Sequence, residues 1–229
     1  MKLKYFLRFL YKLIRKKEIW IWPQVKKKIL WMGNEYGGFF VIPELIKENS
    51  IVYSVGVGED ISFDKALIDN FSCIIYAFDP SPKSIKFVEK QGLVEKFHFS
   101  PVGIYSNDGY IDFFLPKNPD FVSGSVHKED ALGEKISVPV KRISTILNEL
   151  KHDKVDLLKM DIEGSEYDVV DDILELKIKP LQILVELHHR FKNIGCYKTI
   201  EFIQKMNNAG YKIAAISPSR EEYTFVLIT

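Results

Sequence analysis

The chain has 229 residues, of which 46% are hydrophobic and 28% charged, enough for one globular domain with a sizeable core. Two cysteines, Cys73 and Cys196, with no CxxC pair and no zinc-type histidine spacing, argue against a disulfide framework or a zinc module. The net charge of +1 is unevenly spread: residues 1–30 hold ten Lys/Arg against Glu18 alone, so the body of the chain is net acidic, which argues against a nucleic-acid cleft.

The first segment, MKLKYFLRFLYKLIRKK, is amphipathic. At about 100° per residue, Leu3, Phe6, Leu7, Leu10, Leu13 and Ile14 share one helical face, and Lys4, Arg8, Lys12 and Arg15 the other. The interrupting basic residues leave no signal-peptide core, and no apolar run approaches the roughly 18 residues of a membrane span. Residues 1–17 suit a helix lying on an anionic membrane surface, where each basic residue adds about 1 kcal/mol. Packing on the domain or on a second subunit would serve the same apolar face. The chain divides at this level into a basic segment, 1–34, and a domain, 35–229, expected in the cytoplasm and peripheral at the inner face of a membrane.

Strand and helix patterns then alternate. IVYSV (51–55) precedes Gly56 and Gly58, ISFDKALIDNF (61–71) has helical spacing, and CIIYAF (73–78) reads as a buried strand. Pro82 opens a helix that Gly92 stops, and VEKFHFS (94–100) alternates as a strand. Residues 103–141 are less regular, with strand-like YIDFFL and ISVPV around a polar loop. A helix at 143–150, a strand at 155–160, a helix at 166–177, a strand at 181–187 and a helix at 199–210 follow. The last two runs, YKIAAIS and YTFVLI, are too close for a crossover and must pair as an antiparallel hairpin. Alternation of this kind predicts an α/β fold with a doubly wound, mostly parallel sheet.

In such sheets ligands bind beyond the carboxyl ends of the strands. Gly56 and Gly58 let the backbone approach a ligand, although position 61, where a dinucleotide fingerprint has its third glycine, is Ile. Asp79 lies 21 residues past Gly58, a spacing suited to an acid that accepts ribose hydroxyls. Asp161 and Glu163, in KMDIEGSE, and Glu186 and His188, in VELHH, should converge on the same cleft, since neighbouring strands are about 4.8 Å apart. Ser165 and Asp168 read as a capping box and Glu166 as a charge at a helix N-terminus. His189 should point to the opposite face from His188.

YSVGVGEDISFD, YAFDPSP, KMDIEGSEYDVV and ILVELHHRF, in that order, resemble the FkbM family of S-adenosylmethionine-dependent methyltransferases over roughly residues 35–229. The resemblance implies a Rossmann-like seven-stranded sheet with a C-terminal antiparallel pair, and O-methyl transfer to a sugar, glycan or related small-molecule hydroxyl. It implies that Gly56 and Gly58 approach the methionine part of S-adenosyl-L-methionine, that Asp79 meets the ribose, and that Ser100, Gly103 and Ile104 flank the adenine. Asp161 would lie near the sulfonium. Ser54 stands where many methyltransferases carry an acid, so Glu59 or Asp60 would meet the methionine amino group. Asp161, then His188, then Glu186 are the candidate bases, with Glu163, Ser125 and His127 as acceptor contacts. Hard oxygen ligands at Asp161, Glu163 and Glu186 would suit Mg²⁺, but a metal is not expected. A nicotinamide-dependent oxidoreductase and a non-catalytic scaffold of the same fold are the competing readings.

Overall fold

The computed structural model describes all residues except 1, 2, 16, 93–94, 118–123, 127–132, 192 and 229, and the side chains of 3–8 are likewise outside it. Seven strands form the central sheet: β3 (Ile51–Val55), β4 (Ile74–Phe78), β5 (Phe97–Ser100), β9 (Leu157–Met160), β10 (Gln182–Glu186), β11 (Tyr211–Ile216) and β12 (Glu222–Leu227). Their spatial order is β11-β12-β10-β9-β3-β4-β5. The five from β5 to β10 run parallel, and β12 inserts antiparallel between β10 and β11. This is the Rossmann-like sheet with a terminal hairpin. The chain order reverses between β3 and β9, which makes their carboxyl ends the switch point.

Alternation along the central strands divides two cores. Val52, Ile75, Ala77 and Leu157 pack on one face with Phe63 and Leu67 of α2 (Ser62–Phe71). Tyr53, Val55, Phe78 and Leu158 pack on the other with α4 (Ile143–Leu150), α5 (Glu166–Leu174) and α6 (Gly195–Asn208). Helix α3 (Pro82–Gln91) begins at Pro82, with the Ser81 side chain accepting from the Ser84 N–H, and ends at Gly92 with φ +72°. The irregular region forms its own small sheet: β6 (Gly103–Ile104) lies parallel to β8 (Lys135–Lys141), which pairs antiparallel with β7 (Gly109–Phe114). Strand β5 begins at Phe97, later than the alternation from residue 94 suggested.

The N-terminal segment is tied to the sheet. Helix α1 (Leu3–Ile14) leads to a two-stranded ribbon, β1 (Leu30–Met32) with β2 (Phe39–Val41), whose pairing spans residue 34. Glu18, 5% exposed, faces His189 at 3.6 Å and the Arg220 guanidinium at 3.5 Å. Arg220 also donates to the Ile19 and Ile21 carbonyls. Gln182, fully buried on β10, accepts from the Ile42 N–H and donates to the Ile42 C=O, satisfying both backbone groups beyond the sheet. Replacing Gln182 with Leu keeps the volume but leaves two buried backbone groups unpaired, each worth about 1–3 kcal/mol. Urea unfolding of Gln182→Leu should show a loss of about 2–4 kcal/mol; an unchanged midpoint would show that the ribbon is held by other contacts.

Candidate active site

The parallel register aligns the strand ends. Val55 lies opposite Phe78 and Met160, Phe78 opposite Ser100, and Met160 opposite Val185. The loops that follow therefore emerge side by side around a cavity of about 270 Å³. Gly56, Gly58, Glu59, Asp60, Asp79, Gly103, Ile104, Asp161 and Glu163, all expected at the site, line it.

Gly56 has φ +80°, and a Cβ there would sit 1.7 Å from the Asp161 carbonyl oxygen. Glycine is required both for the conformation and for the approach of the two loops. Asp79, 7% exposed, fixes the turn: its Oδ2 accepts from the Val57 and Gly58 N–H at 2.9 Å and its Oδ1 from the Ser81 N–H at 2.8 Å. Asp60 is committed elsewhere, accepting from the Ser62 backbone and hydroxyl and from Asn34 Nδ2. Glu59 is exposed. Ser100 stays outside the cavity, where its carbonyl accepts from Asp79 N–H.

Two charged residues at the cavity were missed in the sequence. Lys159, 6% exposed, pairs in register with Ser54, and its ammonium donates to the Gly56 carbonyl. Asp64, 3% exposed on α2, also lines the cavity, with its Oδ1 lacking a hydrogen-bond partner. Burial raises its pKa, against the opposing charge of Lys159. Lys159 closes an apolar run and Asp64 looks like an ordinary residue of a helix's first turn, so neither carried a local signal.

The KMDIEGSE loop departs from expectation at its end. Ser165 makes no side-chain cap at α5 and has helical backbone angles, so there is no capping box. Glu166 does stand in the first turn of α5, as expected, but fully buried. Its two oxygens accept from the Ile162 N–H at 2.9 Å and the Gly164 N–H at 3.0 Å, so it folds the loop back on itself. Glu166 Oε1 also lies 3.1 Å from His188 Nδ1.

His188, fully buried, turns Nε2 towards Glu163 at 3.3 Å, Glu186 at 3.5 Å and Asp161 at 3.8 Å. Burial alone would lower the His188 pKa, but Glu166 and Glu163 outweigh it and hold it well above the usual range. Burial pushes Glu186 up to about 8, with Asp161 adding and His188 opposing. Asp161 is raised by burial first, with Lys159 opposing and Glu163 adding. Glu186 and His188 sit behind the cavity wall, with Glu186 facing Arg190 at 3.4 Å. His189 points away from this cluster, to Glu18. Ser125 donates to the Glu163 carbonyl at 2.9 Å, while its neighbours Gly124 and Val126 line the cavity. His127 lies outside the described residues.

A human protein described as probable methyltransferase-like protein 24 is 29% identical over 139 residues, 60% of this chain and 32% of the relative. The 2-O-methyltransferase NoeI of Sinorhizobium fredii is 25% identical over 146 residues, 57% of this chain and 60% of that protein. The chain thus spans about a third of the human relative's length and three fifths of NoeI's. Among solved structures, the fibrillarin pre-rRNA processing protein of Methanococcus jannaschii superposes with a TM-score of 0.49 at 12% identity, over 82% of this chain and 69% of that one. Residues 49–213 match the profile of the methyltransferase FkbM domain, and the chain belongs to that family.

Proposed function

We propose that the protein is an S-adenosyl-L-methionine-dependent O-methyltransferase acting on a hydroxyl of a sugar, glycan or related small molecule. The observation that carries this reading is the cavity at the switch point, with the Gly56–Gly58 turn on one wall and Asp161 and Glu163 on the other. Its volume is near the lower end of ligand pockets, about 300 Å³. Family membership supports methyl transfer, and a relative named a 2-O-methyltransferase supports oxygen as the acceptor atom.

In this reading Gly56 would be among the residues that hold the methionine part. Asp64, buried with an unpartnered oxygen, is better placed for its amino group than the committed Asp60 or the exposed Glu59. Asp79 retains one acceptor site, on Oδ1, beyond its three backbone bonds, which suits a ribose hydroxyl. Phe78, Gly103 and Ile104 supply the apolar flank for adenine. Bound S-adenosyl-L-methionine would supply an activated methyl group for the acceptor oxygen, with a neutral thioether as the leaving group. The acceptor's proton passes to Asp161, whose side chain is 30% exposed. Holding the two reactants in line supplies most of the catalysis, and a positioned base adds about 10²–10⁴-fold.

The N-terminal segment suits peripheral contact with an anionic membrane. Phe9 is buried against Trp20, Trp22 and Arg220, while Tyr11, Ile14, Trp20 and Trp22 remain exposed among basic residues. None of the helices of the described residues is long and apolar enough to cross a membrane. A glycan acceptor assembled at a membrane would fit this placement.

Calorimetry should show S-adenosylhomocysteine binding to the wild type and at least tenfold weaker binding to Asp79→Asn. No binding at high micromolar ligand would remove the methyltransferase reading. Asp161→Asn should keep ligand binding and lose at least about 100-fold in turnover, within the range for a general base; unchanged turnover would place the base elsewhere. Co-sedimentation should show binding to anionic vesicles that is weakened by salt and by Trp20→Ala with Trp22→Ala. Equal recovery with neutral vesicles, or none with either, would remove the membrane contact.

A further inference from the structure

His188 stands at the centre of the acidic cluster, 0% exposed, with neither ring nitrogen in a hydrogen bond of acceptable geometry. Asp161 Oδ1 is likewise buried without a hydrogen-bond partner. One donor atom each from Asp161, Glu186 and His188 lies within 4.8 Å of the other two. Ligands sharing an octahedral ion at about 2.1 Å lie roughly 3.0 Å apart in cis and 4.2 Å apart in trans.

We propose that Asp161, Glu186 and His188 form a divalent-cation site at the inner end of the cavity. Two observations support it. Four carboxylates surround one imidazole within 3.8 Å. The nearest cations have other partners as well: Lys159 donates to the Gly56 carbonyl, and Arg190 is shared between Glu186 and Glu221.

Glu166 occupies the position of an orienting carboxylate. It faces Nδ1 from behind at 3.1 Å and is itself fixed by two backbone N–H groups, while Nε2 is turned to the three other acids. A histidine ligand is commonly oriented by a carboxylate on its second nitrogen, and losing that partner costs 10–100-fold in metal affinity. The donor set, one imidazole nitrogen with carboxylate oxygens, lacks the thiolates of structural zinc sites and suits an ion of the hardness of Mn²⁺. Asp161 belongs both to this group and to the cavity wall, so the ion would face an acceptor hydroxyl and favour its deprotonation. That catalytic meaning rests on the methyltransferase reading; the binding itself does not.

The test uses the full chain stripped with chelator and titrated with MnCl₂, followed by calorimetry and by the electron paramagnetic resonance signal of free Mn²⁺. The wild type should bind one Mn²⁺ per chain saturably. Glu186→Gln should bind at least tenfold more weakly with an unchanged urea midpoint; His188→Gln serves as a second variant where it folds. No saturable binding at millimolar Mn²⁺, or equal affinity in Glu186→Gln, overturns the site. S-adenosylhomocysteine binding is measured on the stripped protein in parallel. If it persists while Mn²⁺ fails, the cation site alone falls. If Mn²⁺ binds and S-adenosylhomocysteine does not, the site stands and the transferase reading falls.

Discussion

The contact between Gly56 and the Asp161 carbonyl is the constraint on which the site depends. It joins the tips of β3 and β9, where the sheet's order reverses, and it requires a residue without a Cβ. Asp161 N–H donates to the Val55 carbonyl at 3.0 Å, and Lys159 donates to the Gly56 carbonyl from below. The glycine turn and the acidic loop are therefore one unit. A ligand held by the first is necessarily presented to the second, without a hinge between them.

Behind that unit, two carboxylates do structural work that their position in the sequence does not suggest. Asp79 gathers three N–H groups of the glycine turn and the loop after β4. Glu166 gathers two from the acidic loop and adds His188 from the neighbouring strand end. Hydrogen bonds to a charged acceptor are roughly twice as strong as neutral ones, and here each binds loop backbone that has no ladder of its own. Loop geometry is thereby set by side chains at strand and helix ends, which lets intervening residues such as Glu163 take a left-handed conformation, with φ +51°.

The fold was legible because its signals are periodic and local. Pro82 and Gly92 bracket α3, the apolar spacing of 143–150 gives α4, and the short link before β12 forces an antiparallel pair. The site was legible where it uses strand ends, as with Gly56, Asp79, Asp161 and Glu163. It was not legible where a side chain's role depends on a distant partner. Ser165-x-x-Asp168 matches a capping box by composition, yet the loop's geometry is taken over by Glu166, which finds His188 only once β9 and β10 are adjacent. Ser54 in place of an acid was visible, but Asp64 on a helix and Lys159 on a strand come together at the cavity only in the folded chain.

The consecutive histidines beyond β10 show how the same alternation links the site to the N-terminal segment. His188 turns into the acidic cluster and His189 turns away to Glu18, 171 residues earlier in the chain. Burial lowers the His189 pKa, with Glu18 opposing. Arg220, from the loop between β11 and β12, faces Glu18 on its other side and stacks over Phe9 at 4.4 Å and Trp22 at 5.2 Å. The aromatic and basic segment is thus anchored, through His189, to the strand end that carries His188. An N-terminal helix joined by a free linker would leave the cavity's orientation open. Here Glu18, Ile19 and Ile21 are instead held against the body of the chain by His189 and Arg220.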